Sequence, residues 1–379
     1  MGEIYLDNSA TTQVCREAAA KAMEVMTENY GNPSSLHTKG FQAERELTAA
    51  REAVAGVLGV LPEEIYFTSG GTESNNLALF GAAHALRRRG SHIVTTAIEH
   101  SSIMNTMKQL EKEGYSVTYL EPDKEGRVRP EQVFKAVMPS TILVSMMYVN
   151  NEVGTVLPLE AVPQAIAAAK APALFHADAV QAFGKIPVNP KKLKIDLLSI
   201  SAHKIHGPKG VGALFLRKGV RIVPRAFGGG QEKDIRPGTE AMPLIAGFGA
   251  AVKALPNTAE QYEAMEKLSA YCRKRLSEID GITLNSPEDA CPYIVNFSAG
   301  NVRAETMLHF LSNKEIYVSS GSACSKGKES RILTAMGLPK SRIASALRIS
   351  FSRYNTEQDI DGLVDAVKEG LATLTTKPI

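Results

Sequence analysis

Short apolar runs alternate with amphipathic stretches from about residue 43 to residue 220. The runs are Ile65–Thr68, His92–Ala97, Val117–Leu120, Ile142–Val149, Leu174–Asp178, Leu197–Ser201 and Gly212–Leu216. Between several of them lie stretches with helical spacing, among them Glu73–Arg89, Ser102–Glu113 and Leu159–Lys170. Strands alternating with helices over such a length predict an α/β fold, with a mostly parallel seven-stranded sheet covered on both faces. Ligands of such sheets bind beyond the carboxyl ends of the strands, so the residues that follow each strand are where function is to be sought.

After about residue 250 the texture changes. A charged amphipathic stretch, Ala259–Asp280, leads into short strand-like runs (Ile282–Leu284, Tyr293–Phe297, Tyr317–Ser319, Leu347–Phe351), a helix-like Glu305–Ser312 and a closing amphipathic helix over Thr356–Leu374. This predicts a smaller α+β domain. With 379 residues, 44% of them hydrophobic, two domains are expected. The division is placed at 14–252 for a large domain and at 1–13 with 253–379 for a small one.

Charge and cysteine usage narrow the class. Lys and Arg number 43 against 40 Asp and Glu, a balance that gives no reason to expect nucleic acid or an anionic membrane as partner. The start MGEIYLDNSATT lacks the features of a signal peptide, and no long apolar run suggests a membrane span. Cys15, Cys272, Cys291 and Cys324 are widely spaced and form no CxxC pair, which fits a reducing cytoplasm.

The strand ends carry the chemistry. Thr68-Ser-Gly-Gly71-Thr72-Glu-Ser-Asn runs straight into a helix whose free N–H groups favour an anion; the plainer reading is that Thr72 caps that helix. Glu99-His100 ends the second strand, where a histidine can stack on a ring, move a proton or simply be a hydrogen-bonded structural group. Asn150-Asn151-Glu152 closes the fourth strand with polar residues. In His176-Ala-Asp178-Ala-Val-Gln181 a carboxylate at a buried strand end needs a partner: a protonated heterocyclic nitrogen, or a Lys, Arg or helix N-terminus of the protein. The most informative end is Ser201-Ala-His203-Lys204-Ile-His206-Gly-Pro. A lysine there either snorkels to water or, with its pKa lowered by desolvation and neighbouring cations, forms a Schiff base. The His203-x-x-His206 spacing has no third ligand, so no metal is expected. An anion cradle, a ring-stacking histidine, a carboxylate, a glutamine and a lysine are together what pyridoxal phosphate requires.

Two features lie in the smaller domain. Cys324 stands in Ser-Ser-Gly-Ser-Ala-Cys-Ser-Lys-Gly-Lys, small polar residues expected to form a loop, with Lys326 and Lys328 near enough to favour the thiolate; Cys272 and Cys291 read as buried structural thiols. Arg348, within the apolar run Ala-Leu-Arg-Ile-Ser-Phe, is expected to pair with a carboxylate of the protein or of a ligand such as a free amino acid.

By these motifs, together with Tyr5-Leu-Asp-Asn-Ser-Ala-Thr-Thr12, Tyr30-Gly-Asn-Pro-Ser-Ser-Leu-His37 and Arg236-Pro-Gly-Thr239, the chain resembles the cysteine desulfurases, the NifS/IscS-like branch of class V fold-type-I pyridoxal-phosphate enzymes. The resemblance implies that Lys204 holds the cofactor and moves the Cα proton, that His100 stacks on the ring, that Asp178 pairs with its nitrogen and that Gln181 bonds its phenolic oxygen. Gly71, Thr72, Ser201 and His203 would bind the phosphate, joined by Thr239 of a second subunit, which implies a homodimer. Asn151, beside the cofactor, and Arg348 would hold the substrate carboxylate, with Asn32 lining the pocket. Cys324 would take sulfur from L-cysteine as a persulfide, leaving L-alanine, for delivery to an acceptor protein such as an iron–sulfur scaffold or a thiolation enzyme. Selenocysteine lyase, another class V pyridoxal-phosphate activity and a catalytically quiet assembly subunit are the competing readings. Ser9 and Ala202 stand where the family more often has Ala and Gly, and Glu329 near where it often has Pro.

Overall fold

The computed structural model describes residues 2–320 and 329–374. A two-residue strand β1 (Ile4–Tyr5) is followed by helices α1 (Arg16–Thr27) and α2 (Thr38–Leu58). Then come β2 (Ile65–Thr68), α3 (Gly71–Leu86), β3 (His92–Thr96), α4 (Ser101–Lys112), β4 (Ser116–Leu120), α5 (Pro130–Ala136), β5 (Thr141–Met147), α6 (Ala161–Ala168), β6 (Leu174–Asp178), β7 (Leu197–Ser201) and β8 (Gly212–Leu216). The remainder forms α7 (Met242–Lys253), α8 (Thr258–Ser277), β9 (Ile282–Leu284), β10 (Ile294–Ala299), α9 (Ala304–Ser312), β11 (Ile316–Tyr317), α10 (Arg331–Ala335), α11 (Lys340–Ala344), β12 (Ala346–Ser350) and α12 (Glu357–Thr373).

The seven-stranded sheet expected from the strand-like runs is present, in the order β2-β8-β7-β6-β5-β3-β4. Strands β3 to β7 pair in parallel, and β8 runs against both β7 and β2. Every residue of β3, β5, β7 and β8 is buried, because helices cover both faces. Leu197 of β7 joins Leu77, Leu79 and Phe80 of α3 in one apolar cluster, whereas Leu198 and Ile200 join Phe183 and Phe248 in another. A polar ladder crosses the central strands: His176 of β6 bonds Ser145 of β5 at 2.9 Å and Ser199 of β7 at 3.0 Å. Burial pulls His176 down to about 3, so the ring stays neutral and can both donate and accept.

The C-terminal part builds a separate antiparallel sheet, β12-β10-β9. The N-terminus returns to it: β1 pairs in parallel with β11, and Asp7 bridges to Ser350 at the end of β12. Helices α1, α2 and α7, which no apolar periodicity announces, pack against one another with small residues at their contacts. A Cβ on Gly249 would sit 2.7 Å from the Cα of Ala50 in α2, and one on Gly247 would sit 3.0 Å from the carbonyl of Ala18 in α1. The Gly-Phe-Gly of α7 is therefore a close-packing device, not a ligand loop.

Candidate active site

Parallel strands place the ends of β2, β7, β6, β5 and β3 along one edge of the sheet, where Gly71, His100, Asn151, Asp178, Ser201, His203 and Lys204 end or follow them. At the end of β2 the backbone turns through Gly70, at φ 145°, directly into α3. Gly70 is the N-cap, and no side chain caps this helix; Thr72 is exposed at its second position, so the reading of Thr72 as the cap fails. A Cβ on Gly71 would meet Val180 Cγ2 at 2.8 Å, and one on Gly212, at the start of β8, would meet Gly70 Cα at 2.7 Å. Two close backbone approaches leave the helix N-terminus open, and a phosphate fits such an end. Beside it Ser201 is buried, and its hydroxyl has no hydrogen-bond partner among the described residues. Arg236 reaches across to Glu73 at 3.1 Å, which ties the Arg-Pro-Gly-Thr239 segment to the first turn of α3. Thr239 itself is exposed.

Lys204 follows β7 on a single helical turn. Its Nζ donates to the carbonyl of Ser9 and, at 2.7 Å, to that of Ala10, and no carboxylate among the described residues forms an ion pair with it. Burial first, then Lys185 and Arg348, brings its pKa down to about 7, which leaves a large fraction as free amine near neutrality. The N-terminal motif thus contributes the carbonyls that hold the lysine in place. His203 bonds Thr11 at 3.3 Å and His206 bonds the carbonyl of Gln13 at 2.9 Å, so the two histidines face different partners. Among the described residues no group of three or more His, Cys, Asp or Glu side chains could hold a metal.

Asp178 is buried, and its donors are neutral: Asn75 Nδ2 at 2.8 Å and the Val180 amide at 2.9 Å. Among the described residues, neither a Lys, an Arg nor a helix N-terminus satisfies it. Asn75 also donates to Ser102 at 2.9 Å, and Ser102 bonds His100 Nδ1 at 2.8 Å. His100 is the N-cap of α4, accepting from the Ser102 amide at 3.2 Å, so one nitrogen is fixed by the helix. Burial, with Lys204 and Arg331, keeps its pKa below the ordinary value against the pull of Asp178, and the ring is neutral. Asn75 and Ser102 escaped sequence analysis because nothing in their own segments distinguishes them from helix interior.

Arg348 is buried at 2% exposure and meets the first of the partners expected for it, a carboxylate of the protein. One nitrogen donates to Asp7 at 2.6 Å and another to the carbonyl of Asn151 at 2.9 Å, while Nε has no partner among the described residues. Asn151 Oδ1 is likewise buried and unpartnered, whereas Asn150 is consumed by its turn, accepting from the Glu152 and Val153 amides. Asn32 is exposed and its contacts are local, with Ser34 at 2.9 Å and Ser35 at 3.0 Å; one chain does not bring it to Arg348.

Cys324 lies outside the described residues, but the chain on both sides is fastened to this site. Ser319 exchanges backbone hydrogen bonds with Arg348, at 3.1 and 2.6 Å. Ser330 donates to buried Glu152, next to Asn151, and Arg331 donates to the carbonyls of Ala97 and Glu99, next to His100. Cys15, Cys272 and Cys291 are all buried, and burial pushes the Cys272 thiol up to about 12, far from nucleophilic.

A lysine with a lowered pKa at the strand ends of a seven-stranded α/β sheet defines the general class, and comparison with known proteins defines it further. The model of the aminotransferase class-V family matches residues 4–363, and the chain belongs to that family. It is 43% identical over 370 residues to a protein of Methanosarcina thermophila named cysteine desulfurase IscS, covering 97% of this chain and 91% of that one. Among solved structures, a NifS-like protein superposes with a TM-score of 0.93 at 40% identity, covering 98% of this chain and all of the other. A structure described as SspA in complex with cysteine gives 0.83 at 35% identity, over 94% of this chain and all of the other.

Proposed function

We propose that this protein is a pyridoxal-phosphate-dependent cysteine desulfurase, which converts L-cysteine to L-alanine and carries the sulfur as a persulfide on Cys324. The observation that carries the reading is the Lys204 amine, held at the strand ends, among the described residues, by backbone carbonyls alone, together with polar atoms of Ser201, Asn151 and Arg348 that have no partner among those residues. Orphaned buried polar groups of that kind are costly unless a ligand meets them, and a phosphate and a substrate carboxylate would. Relatives that bear the same activity in their names support it.

Pyridoxal phosphate, when bound, supplies an aldehyde carbon conjugated to an electron-withdrawing pyridine ring. Lys204 holds that carbon and, once released, moves the Cα proton of the substrate. Asp178, fixed by Asn75, keeps a proton on the ring nitrogen, and neutral His100 covers a ring face. Gln181 faces the phenolic oxygen. Gly71, Thr72, Ser201 and His203 hold the phosphate with Thr239 of the partner subunit. Arg348 and Asn151 orient the substrate carboxylate, and Asn32 lines the pocket. The Cys324 thiolate bonds the substrate sulfur as the C–S bond breaks. Carbon keeps that electron pair and takes a proton, so L-cysteine and a thiol give L-alanine and a persulfide.

The persulfide then passes to an acceptor protein of iron–sulfur cluster, thio-cofactor or tRNA thiolation chemistry, in the cytoplasm. The homodimer is supported by an apolar surface that one chain leaves bare: Leu36, Phe227, Tyr30 and Phe41 are all more than half exposed.

Purified protein with pyridoxal phosphate, L-cysteine and a thiol reductant is expected to release alanine and sulfide in equal amounts. Cys324→Ala is expected to keep the cofactor and lose sulfide release at least about 100-fold. Lys204→Ala is expected to lose the covalent cofactor link that borohydride fixes in the wild type. Undiminished sulfide from the Cys324 variant would overturn the nucleophile, and a fully loaded wild type that gives neither product would overturn the reading.

A further inference from the structure

Lys185, four residues past Gln181, is a buried cation at 6% exposure, and no carboxylate among the described residues forms an ion pair with it. Its Nζ donates to Gln181 Oε1 at 3.2 Å and lies 5.6 Å from the centre of the Tyr293 ring. Gln181 Nε2 donates at 2.9 Å to the carbonyl of Ser9, and the same carbonyl accepts from Lys204. Lys185, Gln181, Ser9 and Lys204 therefore form one continuous relay of hydrogen bonds.

Burying an amine without a counter-charge is costly, and a methionine would fill the same space without that cost. Burial lowers Lys185 to about 8, opposed by Cys291 and assisted by Arg348; the other ionisable groups it acts upon are Lys204, His203 and His206 on the turn after β7. What the amine does that an apolar side chain cannot is decide which way the Gln181 amide faces. An ammonium donates only to the amide oxygen, and the Ser9 carbonyl accepts only from the amide nitrogen. The two contacts select one orientation of two nearly isosteric ones, and it leaves the second Nε2 hydrogen for a further acceptor.

We propose that Lys185 is a positioning residue whose ammonium locks the Gln181 amide with its nitrogen toward the cofactor site, so that Gln181 donates to the phenolic oxygen of pyridoxal phosphate. This rests on the cofactor assignment above. Without the ammonium only the Ser9 carbonyl still selects this orientation, so the amide turns its oxygen toward the phenolic oxygen more readily, and a positive charge is gone. Both changes favour retention of a proton on the cofactor–Lys204 unit.

The test is a pH titration of the visible absorbance of the bound cofactor, in wild type, Lys185→Met, Gln181→Met and the double variant. Lys185→Met is expected to bind cofactor, to melt no lower than wild type when cofactor-free, and to raise the absorbance midpoint by about one pH unit. Because Lys185 acts through Gln181, the double variant is expected to shift by clearly less than the sum of the single shifts. Lys185→Arg, which keeps a donor to the amide, is expected to hold the wild-type midpoint, and it carries the test should Lys185→Met not fold. An unmoved midpoint in Lys185→Met, additive shifts, or a Lys185→Arg midpoint displaced like that of Gln181→Met would each overturn the positioning role. A wild type that takes up no pyridoxal phosphate would instead overturn the cofactor reading.

Discussion

At the scale of single residues the site is governed by where burial puts charge. Glu99, one residue before His100, has no exposed surface; one oxygen accepts from the Met147 amide at 2.9 Å and from Thr96 at 2.8 Å, and the other has no partner among the described residues. Burial pushes its pKa up to about 8, so the carboxyl is neutral at pH 7. The consequence for stability has a definite sign. Between the ordinary carboxyl value and about 8 the folded protein holds a proton that the unfolded chain has released, so stability falls as pH rises through that window. Glu99→Gln, nearly isosteric and always neutral, removes this contribution. Urea unfolding of the cofactor-free proteins at pH 5 and pH 9 is expected to give similar midpoints at the lower pH. At the higher pH the variant is expected to be more stable by at least about 1 kcal/mol. A wild type that loses nothing relative to the variant at pH 9 would mean that Glu99 is ionised in the fold.

At the scale of elements, small residues decide the packing that the sequence pattern leaves unspoken. Helices α1, α2 and α7 meet through Ala18, Ala50, Gly247 and Gly249, and the Gly249 position is closed by backbone: Ala50 Cα lies 2.7 Å from where a methyl would go. A helix axis must move to admit one, so Gly249→Ala is expected to destabilise the protein by about 1–3 kcal/mol, despite the better helix propensity of alanine. Denaturant unfolding measures it, and a gain in stability would show that the helices can slide apart freely. The same contact explains what periodicity could and could not reveal. Strands β2, β6, β7 and β8 are legible to the residue, because short apolar runs bounded by polar residues have no other use. Helix α2 buries Gly40, Ala43, Ala50, Val54, Ala55 and Leu58, a face mostly of small side chains with no strong apolar stripe. Strand β1 is two residues long and exists only because β11 accepts it. In the site, Lys204, Asp178 and His100 stand out because each is a polar residue at the end of a strand or within four residues after it. Lys185, Asn75 and Ser102 do not, since their roles arise from contacts between distant segments.

At the scale of the whole molecule, the phosphate cradle proposed above lacks, within one chain, the contribution assigned to Thr239. Arg236 anchors that segment to Glu73 of α3, yet Thr239 is exposed and meets none of the residues proposed to hold the phosphate. Near it the surface is apolar where a monomer gains nothing by being so: Leu36 is fully exposed and Phe227 is 87% exposed. The segments that carry them approach one another: Ser34 lines a cavity with Gly230, Glu232 and Glu240, and a Cβ on Gly228 would sit 3.1 Å from Pro237 Cβ. A second copy placed over this region would bury both aromatic and aliphatic surface, and would bring its own Thr239 to the open phosphate cradle. Phe227→Asp places a charge at the centre of such an interface, where it would be desolvated without a partner. Sedimentation is expected to find wild type as a dimer and the variant largely as a monomer. Equilibrium binding of pyridoxal phosphate is expected to weaken at least about tenfold in the variant, the cost of one lost charge-assisted hydrogen bond. A variant that stays dimeric would move the interface elsewhere. One that becomes monomeric yet binds the cofactor as tightly as wild type would show that the cradle formed by Gly71, Thr72, Ser201 and His203 is complete within one chain.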